Sequence, residues 1–134
     1  MVRDVIARNG IRSIGEEMNK ESLKKHFCRG ESFTYQVAQE LGIEHRYCDP
    51  DSATRKSLSI PEGEEGWPKR EQYWLERLQT FNEFPAMFIM GARHFKSFRN
   101  LLRQSGFEAI EVERDWVPSD FVTDEEVERR FFEG

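Results

Sequence analysis

Two adjacent carboxylates, Glu16 and Glu17, an aspartate at Asp49, a helix-borne Arg70 and a histidine closing Gly91-Ala92-Arg93-His94 are the side chains whose types could do chemistry together. Carboxylate plus imidazole is the minimum for general acid–base work. It is also a feasible set for a hard or borderline divalent metal, with Glu17 and His94 as the ligands. On that reading Glu16 or Glu17 is base or metal ligand, His94 is ligand or electrostatic stabiliser, and Arg70 orients. Arg70 and Arg55 could supply positive charge to an anionic substrate. Each residue also has a plainer role: helix-start charge for Glu16-Glu17, an Asp-Pro turn for Asp49, an ion pair for Arg70 and a helix cap for His94.

Strand ends must bring such distant residues together. Met87-Phe88-Ile89-Met90 reads as a buried strand that Gly91 ends, and Phe95, Phe98 and Leu102 then fall on one helical face. His94 therefore sits where a strand hands over to a helix. The spacing predicts three further strands, over Ile11 to Glu16, Ile43 to Cys48 and Phe107 to Val112. Helices are expected over Val2 to Asn9, over Lys20 to Phe27 behind an Asn19 cap, behind Ser32 with Phe33, Val37 and Leu41 on one face, and over Lys69 to Phe81 with Pro68 in the first turn. Asp51 to Gly66 reads as a surface loop with one helical turn around Ala53 to Leu58. The alternation implies α/β architecture: a mostly parallel sheet of about four strands flanked by helices, over residues 1–115. In such a sheet the carboxyl ends of the strands share one rim, where ligands bind. His45 lies within its strand and should point sideways from that rim. Residues 116–134 form a tail with a short helix behind the Thr123 capping box. Phe131-Phe132 in that helix, or an open sheet edge, offers a docking or homodimer contact.

Composition bounds the function classes. A net charge of -5 lacks the basic footprint for nucleic acid. No apolar run approaches a membrane span, and the first ten residues lack the apolar core of a signal peptide, so a cytoplasmic location is expected. Cys28 and Cys48 form no metal-ligand or redox spacing and should stay free, with Cys48 a small buried residue. There is no Gly-rich phosphate loop. Eleven phenylalanines must supply much of the core, with Trp67, Tyr73 and Trp74 packing beside them.

Gly91-Ala92-Arg93-His94 resembles the G-x-x-H motif of the TraB/Tiki, erythromycin-esterase-like and ChaN-like superfamily. Arg70 to Leu78 is similar to its Arg-led helix before that strand, Ile14-Gly15-Glu16-Glu17 to its strand ending in an acid, and Val37 to Ile43 with Tyr47-Cys48-Asp49 to its helix–strand–Asp unit. The resemblance covers most of Ile11 to Val112. It implies site roles for Glu16 or Glu17, Asp49, Arg70 and His94, and an activity such as metal-dependent peptidase or ester hydrolase, haem binding, or none. The superfamily's earlier strand with a second such histidine has no counterpart here, so where that histidine serves metal or base chemistry the chain is incomplete as an enzyme by itself.

The leading expectation is a hydrolase-like domain, metal-dependent or not, acting on an unidentified small molecule or peptide. The alternative is a non-catalytic interaction or ligand-binding domain that keeps the fold.

Overall fold

The computed structural model describes residues 2–110. Three short strands form one parallel sheet: β1 (Ser13–Glu16) in the centre, β2 (Glu44–Tyr47) on one side and β3 (Ala86–Ile89) on the other. Glu16 lies level with Tyr47 and with Ile89, so the three strands end together. The fold is α/β, with three strands among the described residues rather than about four. Residues 107–110 form no strand, and the remainder of the predicted Phe107 to Val112 segment lies outside the described residues. The physical reason is local. The Phe107 N–H turns back to the Leu102 carbonyl at 3.0 Å instead of entering a ladder, and its ring packs on Phe84.

The described residues contain six α-helices. On one face, α1 (Val2–Asn9) and α3 (Phe33–Leu41) bury Val2, Ile6, Val37 and Ala38 against Ile14. On the other, α5 (Trp67–Gln79) and α6 (Phe95–Gln104) bury Trp74, Leu75 and Phe98 against Cys48 and Phe88. The alternation of a strand explains the division: Ile14 and Glu16 face the first layer, while Gly15 faces the second. Gly15 is required there, because a Cβ would lie 2.9 Å from the Phe88 ring and 3.0 Å from Cys48 Sγ.

Caps set the helix starts. Asn19 accepts from the Ser22 N–H at the head of α2 (Lys20–Phe27), Ser32 from the Tyr35 N–H at α3, and Asp51 from the Thr54 N–H at α4 (Ser52–Ser57). One expected packing position departs from the pattern: Leu41 is 45% exposed, because Thr34, Val37 and Ala38 form the buried stripe of α3. No helix among the described residues is long and apolar enough to cross a membrane. Both cysteines are free. The tail 116–134, with Thr123, Phe131 and Phe132, lies outside the described residues.

Candidate functional site

The strand order reverses between β1 and β3: the connection from β1 runs to β2, and the chain then crosses to the far side of β1. Such a reversal opens a crevice at the carboxyl ends of the two strands. Glu17 and Gly91 meet there. The Glu17 N–H continues the ladder to the Ile89 carbonyl at 2.8 Å, and its Oε1 accepts the Gly91 N–H at 2.7 Å. A turn over Ala92–His94 then leads into α6 and drives His94 inward, where it is 0% exposed.

His94 is held from α5. Its Nδ1 lies 3.0 Å from Glu71 Oε2, which also accepts the Ser97 hydroxyl at 2.7 Å. A carboxylate with those two neighbours acts as the acceptor, which assigns the ring proton to Nδ1. Nε2 is then the free nitrogen. It is buried, has no hydrogen-bond partner among the described residues, and lies 3.8 Å from Glu17 Oε2. Two indoles enclose the imidazole: Trp74 at 4.8 Å between centroids and fully buried, and Trp67 at 4.4 Å and half-buried. Trp67 begins α5 after a 3-10 turn over Gly63–Gly66. A Cβ at Gly66 would fall 1.9 Å from the Pro61 carbonyl, so only glycine allows the turn to fold back this tightly.

Arg70 ties the rim together. Its guanidinium donates to Glu17 Oε2 at 2.6 Å and to Asp49 Oδ1 at 2.9 and 3.1 Å. Burial works against its charge, but Asp49 and Glu17 outweigh that, and its pKa rises above the ordinary arginine value. Asp49 also accepts the Trp74 indole N–H at 2.9 Å and, on Oδ2, Arg55 at 2.6 Å. Asp49 is therefore a fully engaged junction and not merely an Asp-Pro turn. Both guanidiniums expected to attract an anionic substrate, Arg70 and Arg55, are committed to these carboxylates.

Glu16 is not part of this cluster. Alternation sends it to the opposite face, where its Oε1 accepts from the Ser32 hydroxyl and from His45 Nε2 at 3.0 Å. Tyr47 closes that second network by accepting the Ser32 N–H at 3.0 Å and donating to Glu31 at 2.6 Å. Burial and the Glu31 bond push the Tyr47 phenol well above its usual pKa, and the same bond holds Glu31 below the carboxylate range. His45, expected to point sideways from the rim, bonds Glu16 at the end of β1.

Of the predicted residues, the structure brings together Glu17, Asp49, Arg70 and His94, with Arg55 behind Asp49, and places Glu16 elsewhere. Sequence reasoning missed Glu71 and Ser97. Glu71 had a signal: it lies four residues after Trp67 and three before Trp74, a charge inside the buried stripe of α5. Ser97 follows His94 by one helical turn.

The donor set does not fit a divalent metal at Glu17 and His94. Glu17 Oε2, the oxygen nearest Nε2, already faces a guanidinium, and among the described residues no group of three His, Cys, Asp or Glu side chains is arranged to hold a metal ion. Cys48 offers no nucleophile, since burial pushes its thiol up to about 12. Comparison with protein-family models, curated proteins and solved structures finds no match.

Proposed function

We propose that this domain is hydrolase-like and that its rim is a metal-independent general acid–base site, with His94 Nε2 as the atom that takes and returns a proton. The observation that supports this reading is the buried Nε2 without a partner, on a ring whose other nitrogen is fixed by a buried carboxylate. Native interiors rarely leave such an atom unsatisfied; Arg77 Nε and Arg99 Nε share this state among the described residues, but only the imidazole nitrogen is able to take and return a proton. Glu71 holds the tautomer and steadies the imidazolium that forms. Ser97 steadies Glu71. Arg70 holds Glu17 in orientation beside the ring, and Asp49 with Arg55 keeps Arg70 in place. Water is the nucleophile on this reading, since no thiol or hydroxyl among the described residues is hydrogen-bonded to Nε2. The membership suggested by the G-x-x-H segment belongs to the same proposal: it implies roles for Glu16 or Glu17, Asp49, Arg70 and His94, of which Glu17 is the acid that lies with the other three.

A panel of chromogenic esters, amides and phosphoesters tests it. Turnover should appear with at least one class and fall about 10²- to 10⁴-fold in His94→Gln, with a smaller fall and an altered pH profile in Glu71→Gln. Turnover that survives His94→Gln contradicts the assignment. A second reading, a non-catalytic ligand-binding or interaction domain, is favoured by the enclosure of His94 under Trp67; no turnover with any class selects it.

A further inference from the structure

We infer that the outer face of α6 is a docking surface for the acidic C-terminal segment of this same chain, residues 111–134. The inference stands apart from the proposed function, and its test reads no turnover. The helix has two unlike sides. Phe98 is buried, and Leu101 and Leu102 pack beside it on the second layer. Lys96, Arg99 and Arg103 recur at i, i+3 and i+7 on the other side, and Arg93 stands in the turn before them. No aspartate or glutamate occurs between Gly91 and Phe107, so the helix offers these cations no partner of its own. Elsewhere exposed arginines do find carboxylates: Arg3 with Glu40, Arg8 with Asp4 and Arg12 with Glu83. On α6 none of the four cations is ion-paired among the described residues. Arg99 shows the deficit most plainly. Its guanidinium carbon lies 5.1 Å from the centroid of the Phe95 ring, and its Nε is buried without a hydrogen-bond partner among the described residues.

The sequence supplies the missing charge immediately afterwards. Residues 111–134 carry nine aspartates and glutamates against three arginines, with Asp124-Glu125-Glu126 the densest run. The chain already starts back along this face: the Phe107 N–H turns to the Leu102 carbonyl at 3.0 Å, and Arg103 Nη2 holds the Ala109 carbonyl at 2.9 Å. The ten residues of α6 span about 15 Å at a helical rise of about 1.5 Å. The stretch 111–123 can cover about 40 Å when extended, so the acidic run reaches as far as Arg93. Tethering favours this occupant over a separate acidic partner, because a short linker sets an effective concentration on the order of millimolar.

The test applies a zero-length carbodiimide to the full chain, which joins an amine to a carboxylate only where the two touch, and maps the new amides in the monomer fraction by mass spectrometry. Lys96 should couple to Asp124-Glu125-Glu126 at least about fivefold more than Lys56, an exposed lysine on α4, does. The excess should vanish in about 1 M salt, where charges are screened beyond about 3 Å. Arg93→Glu with Arg103→Glu, both at exposed positions, should abolish it as well. Lys24→Glu with Lys25→Glu makes the same change in net charge on exposed positions of α2 and should leave it intact. Equal coupling at Lys56 and Lys96, an excess that survives the α6 reversal, or Lys96 coupling confined to cross-linked dimers would overturn the inference. The unsubstituted chain decides the first and last of these, so a variant that fails to fold does not shield the proposal.

Discussion

Glu16 and Glu17 are neighbours in sequence with identical side chains, yet they anchor two unlike networks on opposite faces of one strand end. On the Glu16 face, a hydroxyl and an imidazole bond the carboxylate, and a phenol links the Ser32 N–H to Glu31 at the start of α3. On the Glu17 face, the carboxylate is fixed by a backbone N–H and a guanidinium, and the imidazole beside it is left with a free nitrogen. The comparison separates structural from functional polarity more sharply than burial does, since both faces are buried. In the first network the histidine nitrogen is used within the fold, whereas in the second the histidine is held through one nitrogen and the other has no hydrogen-bond partner among the described residues, which is the difference the proposed function rests on.

Breaking the cation at the Glu17 face should have the largest effect. Arg70→Met removes the shared partner of Glu17 and Asp49, leaving Glu17 without a cation and Asp49 with Arg55 alone, at a cost of about 3 kcal/mol, measured by denaturant unfolding. A loss under about 1 kcal/mol, in the range of an exposed pair, would mean that this network is solvated and not a rigid frame.

Gly15→Ala strikes the same face without touching a charge. The added methyl must displace the Phe88 ring and Cys48, and about 2 kcal/mol of destabilisation is expected. The Glu16 network should be undisturbed, so the His45 ring resonances stay in place. Ser32→Ala does the converse. It removes the α3 cap and one donor to Glu16, costs about 1 kcal/mol, and should leave the His94 resonances unmoved. Cross-talk in either variant would join what the geometry keeps apart.

The smallest effect concerns thiols. Burial raises the Cys48 thiol to about 12 from an ordinary 9.0, so between those values the unfolded chain ionises first and stability falls as pH rises. At mildly alkaline pH a thiol reagent should titrate exposed Cys28 at once and Cys48 only on unfolding.

Much of this was legible in the residues. The caps at Asn19 and Ser32, the Gly42 stop and the rim position of His94 follow from local chemistry, which acts within one turn of chain. What the sequence left open depends on longer range. Glu16 and Glu17 could not be told apart, because a one-residue change in where a strand ends exchanges its faces. Glu71 carries no distinguishing mark of its own until its place in the stripe with Trp67 and Trp74 is set against His94 and Ser97. The Phe107 segment has some strand-like alternation, but a strand exists only when a neighbour completes its ladder, and here the Phe107 N–H is spent on α6.

The proton positions on the two buried histidines test the account most directly. Long-range 15N–1H NMR of the full chain, with His94→Gln and His45→Gln for assignment, should show opposite tautomers: His45 protonated at Nε2 toward Glu16, and His94 protonated at Nδ1 toward Glu71 with Nε2 bare. A His94 ring carrying its proton on Nε2 would contradict the account, because the nitrogen said to be free would then be a donor directed at Glu17.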